Sequence, residues 1–181
     1  MKGLYAEDFV RYVCHLADEV PTVYLFGGMG DFVTPELIEE KAAKYPKWYT
    51  AERRAALYRH ADAGVRGFDC SGLVKRWLMG GLEHYHHEPA LDWNARRMFD
   101  WASESGTLDT LPEEPGVLLN MQGHVGVYLG GGQVIEATTA FRPDGGVQRT
   151  TINMQKWTDW YRHSLIQYGA RLEPQRFLQM M

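Results

Sequence analysis

The chain has 181 residues, 45% of them hydrophobic and 23% charged, with a net charge of −4 and a pI of about 6.0. That length and apolar content suit one globular domain with a substantial core. The acidic balance argues against nucleic acid as a partner, and no apolar run approaches the roughly 20 residues that cross a bilayer. Two cysteines, Cys14 and Cys70, are too few for a disulfide framework, and no CxxC marks zinc or redox chemistry. The opening stretch, MKGLYAEDFVRYVCHLADEV, carries acids where a signal peptide needs an apolar core. The expected location is therefore the cytoplasm, or the cell wall by a non-classical release such as phage lysis. Aromatic residues make up 13% of the chain, which suggests a wide core or a ring-lined groove.

In chain order, residues 5–19 read as an amphipathic helix with Phe9, Val10, Val13 and Leu16 on one stripe, ended by Pro21. YLFGGMG (24–30) reads as a turn. Thr34 and Pro35 look like the N-cap and first residue of a helix that runs to Lys44 and stops before Pro46. Residues 50–61 form a further helical pattern, and Gly64 and Gly67 then loosen the chain. A helix is expected from Cys70 or Ser71 to Met79, ended by Gly80-Gly81. Residues 82–90 read as a loop and 92–103 as a helix. After Pro112, Pro115 and Gly116 the pattern becomes β-rich, in Val117–Asn120, His124–Leu129, Gln133–Thr138, Val147–Ile152 and Leu165–Tyr168. Gly130-Gly131-Gly132 reads as a hairpin loop. Helices first and strands later point to an α+β fold.

The chemistry gathers on Cys70, in RGFDCSGLVKRW. Taken alone, this cysteine could be a buried filler, half of a disulfide, a metal ligand or a nucleophile. A helix start favours the thiolate, because unpaired N–H groups and the helix dipole stabilise negative charge there. His124, in GHVGVYL, is the natural base for such a nucleophile. Glu136, in VIEA, could orient the imidazole. A three-residue loop at Gly130–Gly132 pairs Leu129 with Gln133 and puts Gly126 opposite Glu136, so His124 and Glu136 share one face. A two-residue turn would put Glu136 on the other face.

These motifs resemble the NlpC/P60 cysteine peptidases. Phe68-Asp69-Cys70-Ser71-Gly72-Leu73-Val74 matches that family's D-C-S-G-L, and Gly123-His124-Val125-Gly126-Val127-Tyr128-Leu129-Gly130 matches its H-V-G-I-Y-x-G. Tyr24-Leu25-Phe26-Gly27-Gly28 looks like its Y-x-W-G-G. The resemblance spans roughly residues 5–168 and implies a papain-like fold, with the cysteine at the start of a helix packed on an antiparallel sheet that carries the histidine. It implies hydrolysis of peptide bonds in bacterial cell-wall peptides, commonly next to D-γ-glutamyl residues, with no metal or other cofactor. Catalytic roles fall on Cys70, His124 and Glu136, and substrate-lining roles on Tyr24, Asp69 and Ser71.

The sequence departs from the family at two points. Glu136 stands where the family usually has His, and about 40 residues separate Gly28 from Asp69 where the family spacing is shorter. The expected organisation is a single catalytic domain over 1–181 with a helical insertion at about 29–66, an elaboration that resembles phage-type members. An acyltransferase using the same thioacyl intermediate, and a non-catalytic wall-peptide binder, are the alternatives.

Simpler roles stand beside the catalytic ones. Asp69 and Ser71 could cap the helix, Tyr24 could be core, and Cys14 reads as an inert small apolar residue. His84, His86, His87 and Glu88 read as exposed loop. Gly27–Gly30 lacks the GK[ST] of a phosphate loop. Trp77, Trp93, Trp101, Trp157 and Trp160 read mainly as packing, with one or two walling the groove.

Overall fold

The computed structural model describes residues 3–169. Helix α1 (Ala6–Glu19) buries Ala6, Phe9, Val13 and Leu16, the spacing that keeps one helix face on a core. Val10, expected on that stripe, is only half-buried. The chain then forms β1 (Thr22–Tyr24), turns, and returns as β2 (Met29–Phe32). Helices α2 (Pro35–Lys44) and α3 (Ala51–Tyr58) follow. The Thr34 and Thr50 hydroxyls cap them by accepting from the Leu37 and Arg53 N–H groups. Strand β3 (Arg66–Phe68) then slots between β1 and β2, parallel to the first and antiparallel to the second.

The turn expected within 24–30 is present at Phe26-Gly27, flanked by the ends of β1 and β2, while β3 corrects the reading of Gly64–Gly67 as loose chain. Strands of three or four residues show too few alternations to reveal a period.

Helix α4 (Cys70–Leu78) starts one residue after β3. Helix α5 (Ala95–Asp100) is shorter than the expected 92–103. Asn94 caps it through the Arg97 N–H, and the chain turns directly into β4 (Glu104–Thr107). Strands β5 (Leu118–Met121), β6 (His124–Gly130), β7 (Gln133–Thr138), β8 (Gly146–Thr151) and β9 (Asp159–Arg162) complete a six-stranded antiparallel sheet. Its order is β4-β9-β5-β6-β7-β8. The strand expected at Leu165–Tyr168 is instead a single bridge, Tyr5 to Gln167. The strand in that part of the chain is β9, which alternates Trp160 to one face and Tyr161 to the other.

The β6–β7 hairpin combines both registers considered from sequence. Gly130 pairs with Gln133 across a two-residue turn, Gly131-Gly132, rather than Leu129 with Gln133. Both turn residues have positive φ, 59° and 76°, which suits glycine and the strand twist. A one-residue shift between Tyr128 and Gly130 then restores the ladder, with Tyr128 on Val134 and Val127 on Ile135. Glu136 therefore returns to the face of His124.

Helices α1 and α4 lie on one face of this sheet, where Phe9, Val13, Leu73 and Val74 meet Val125, Val127 and Ile135. The opposite face carries Val117, Leu119, Tyr128, Val134, Trp157 and Trp160. A third cluster, with Val23, Leu25, Ile38 and Leu57, lies under α2 and α3. Helices and an antiparallel sheet packed in this way make the expected α+β, papain-like arrangement. No helix among the described residues is long and apolar enough to cross a membrane.

Candidate active site

Cys70 is the first residue of α4, and Asp69 builds the turn that presents it. One Asp69 carboxylate oxygen accepts from the Gly72 N–H at 2.6 Å and from the Ser71 hydroxyl at 3.2 Å. The other accepts from the Gly27 N–H at 3.0 Å, which ties the helix start to the β1–β2 turn. Burial pushes the Asp69 carboxyl pKa up, against these donors and nearby Lys75. Gly72 admits no side chain, because a Cβ there would lie 1.9 Å from the Gly28 carbonyl oxygen. The DCSG sequence thus lets a helix start abut a neighbouring backbone.

His124 begins β6 and lies on the sheet face away from α4, where its ring stacks on Trp157 at 5.3 Å and 12°. Cys70 belongs to the helical face. The two meet at the end of the strand, where the Cys70 thiol lies 3.8 Å from the carbonyl oxygen of Gly123, the residue before His124, and near enough to the imidazole to raise its pKa.

Glu136 is fully buried and stands beside His124 on the same face. His124 Nε2 donates to Glu136 Oε2 at 2.6 Å. The Gln155 amide donates to the same oxygen at 3.0 Å, and the Thr150 hydroxyl donates to Oε1 at 2.7 Å. Three donors on one buried carboxylate make its burial tolerable. Burial opposes charge on His124, but hydrogen bonds to Cys70 and Glu136 outweigh it and hold the imidazole pKa up at about 9. The imidazole is thus poised to carry a proton at neutral pH.

The Tyr24 hydroxyl sits near both Cys70 and Asp69, and burial, followed by those two groups, raises its pKa. Its ring lies 5.9 Å from Trp48 of the chain between α2 and α3. Ser71 and Asp69 line a cavity of about 600 Å³. The structure therefore gathers Cys70, His124 and Glu136 into one run, places Tyr24 beside it, and sets Asp69 and Ser71 between it and the cavity.

Sequence reasoning missed Thr150 and Gln155, which belong to no motif. Trp157 it grouped with the packing tryptophans, of which one or two were to wall the groove. Gly126 holds the one local trace of Trp157, since a Cβ there would lie 2.7 Å from the indole. Trp101, grouped with the packing tryptophans, is more than half exposed and lies edge-on to Trp93. His84, His86, His87 and Glu88 are exposed, and Glu88 accepts from the Ala90 N–H.

Among solved structures, the chain is similar to the P60 domain from M. avium subspecies paratuberculosis antigen MAP1204. Identity is 20% and the TM-score 0.44, over 88% of this chain and 97% of that one. No curated protein matches. The NlpC/P60 family model matches residues 55–166, well over half the chain and the whole stretch that bears Cys70, His124 and Glu136, so the chain belongs to the NlpC/P60 family of cell-wall cysteine peptidases.

Proposed function

We propose that the protein hydrolyses peptide bonds of bacterial peptidoglycan peptides, next to D-γ-glutamyl residues, through a thioacyl intermediate. The observation that carries this reading is the placement of Cys70 beside the Gly123-His124 start of β6, with His124 bonded to Glu136 at 2.6 Å. Glu136 occupies Nε2 of His124, which leaves Nδ1 to take the proton of the Cys70 thiol. The thiolate sulfur then adds to the scissile carbonyl carbon, and the Cys70 backbone N–H at the helix start faces the developing oxyanion. The imidazolium returns its proton to the leaving amine as the C–N bond breaks. Water, deprotonated by His124, attacks the thioester and releases the acid and the free thiol. Asp69, Ser71 and Tyr24 line the path of the bound peptide. In this reading the segment 29–66 elaborates a single catalytic domain.

Digestion of purified peptidoglycan, and of a muropeptide carrying D-γ-Glu, tests the assignment by mass spectrometry. Wild-type protein should release fragments with a new amino terminus, and Cys70→Ala should release none. Undiminished cleavage by Cys70→Ala would overturn the reading.

A further inference from the structure

The cavity that Asp69 and Ser71 line lies next to the nucleophile, yet much of its wall comes from outside the family motifs. Helix α2 contributes Lys41, Lys44 and the neighbouring Tyr45, and the 82–90 loop contributes His87. Its volume, about 600 Å³, is that of a small-ligand site.

Three carboxylates, Asp31, Asp69 and Asp92, and three ammonium groups, Lys41, Lys44 and Lys75, line this wall, but their pairing is uneven. Asp31 accepts from Arg76 at 2.9 Å, and Asp92 accepts from Lys75 at 2.6 Å. Both oxygens of Asp69 are taken by the Gly27, Gly72 and Ser71 donors. Every acidic group of the cavity is therefore engaged. The bases are not: Asp92 faces Lys75, His87 and Lys44 together, and of these Lys75 also faces Asp69. Lys44 has no carboxylate in ion-pair contact among the described residues, and Lys41 reaches only the exposed Glu40, at 3.5 Å. At that distance, and with Glu40 mostly in solvent, the pair holds Lys41 weakly. Lys41 and Lys44 are three residues apart, so they sit on one side of α2. Lys41 and Lys44 are therefore the cations of this mouth that no lining carboxylate holds in an ion pair.

We propose that this cavity is a specificity subsite that takes a free carboxylate of the bound peptide, with Lys41 and Lys44 of the inserted helix as its donors. A carboxylate entering the cavity finds ammonium donors and no competing anion that lacks a partner, the setting in which charge-assisted hydrogen bonds are strong. The subsite rests on the peptidase reading for its role, because that reading puts the peptide carbonyl at Cys70, one residue from Ser71. It gives the 29–66 segment a function: the segment adds charge selection to a motif-built catalytic centre.

Binding to Cys70→Ala separates the subsite from the chemistry. The probes are the tetrapeptide L-Ala-γ-D-Glu-L-Lys-D-Ala, its isoglutamine form and its C-terminal amide, titrated by calorimetry. Amidation of one of the two carboxylates should weaken binding tenfold or more. In Cys70→Ala/Lys41→Gln/Lys44→Gln the same amidation should cost less than twofold, while Lys41→Arg/Lys44→Arg should retain most of the preference. Equal melting temperatures of these variants would confirm that the fold is intact. Equal binding of all three peptides, a preference that survives the double Gln change, or no binding of the free acid would each overturn the subsite. Failure of the peptidase reading would appear elsewhere, as absence of cleavage by the wild-type protein.

Discussion

His124 and Glu136 are bonded at 2.6 Å across a hairpin whose turn alone would have separated them. The shift between Tyr128 and Gly130 puts them on one face, and the fully buried carboxylate then holds Nε2 of the imidazole. Glu136→Gln keeps the shape and removes the charge. A hydrogen bond to a charged partner contributes about 1.5–3 kcal/mol, so kcat/KM should fall about 10- to 100-fold. The pH profile should change as well. The imidazole pKa of about 9 sets the alkaline limb, where the proton for the leaving amine is lost. Without the anion that limb should move to lower pH. An unmoved limb in the pH–kcat/KM profile would show that Glu136 does not support the imidazolium.

Thr150 and Gln155 hold Glu136 from behind, and their roles separate by atom. The Thr150 hydroxyl is the donor to Oε1 at 2.7 Å, while Gln155 shares Oε2 with His124. Thr150→Val is close in shape and leaves a buried carboxylate oxygen without its donor. The cost should be about 1–3 kcal/mol of folding stability, read by urea unfolding near neutral pH. Turnover should fall less than in Glu136→Gln, because the contact with His124 remains.

Gly72 makes a different prediction, one of space. A Cβ there meets the Gly28 carbonyl oxygen at 1.9 Å, backbone against backbone. Ala is ordinarily the better helix former by up to about 1 kcal/mol, yet here it must push α4 away from the β1–β2 turn. Gly72→Ala should therefore destabilise the fold by about 1–3 kcal/mol or more. It should also lower kcat through displacement of Cys70. Thermal unfolding together with labelling of Cys70 by a thiol reagent would measure both, and a stabilised variant would refute the close approach.

What the sequence made legible and what it hid divide along local and distant causes. The start of α4 was readable because cap, nucleophile and close-approach glycine lie within four residues, Asp69 to Gly72. The face shared by His124 and Glu136 was readable from period-two alternation, although its turn is two residues plus a shift rather than a loop of three. The small sheet was hidden because β1 and β3 pair across about 40 residues and are three residues each. Gln155 and Trp157 reach the site from the chain between β8 and β9, with no pattern of their own to mark them. The cavity charges were hidden for the same reason, since Lys44, Lys75 and Asp92 converge only in three dimensions.

His163 offers a test of the core far from any motif. It is fully buried, stacks on Trp93 at 5.4 Å, and accepts from the Leu165 N–H through Nδ1 at 3.2 Å. Its Nε2 is buried and has no partner among the described residues. Burial drops its pKa from 6.5 to about 4, so the folded protein keeps it neutral. Below pH 6.5 the unfolded chain takes up a proton that the folded chain refuses. Stability should therefore fall as pH drops from 6.5 to 4, by up to about 3 kcal/mol, and this component should level off below that. His124 does not confuse the measurement. Its pKa is raised, so its contribution is complete below pH 6.5 and is lost only as pH rises towards 9. His163→Phe keeps a ring against Trp93 and removes the titrating group. Urea unfolding at pH 7 and at pH 4.5 should then show a smaller acid loss in the variant than in the wild type. Equal losses would mean that His163 accepts its proton inside the fold.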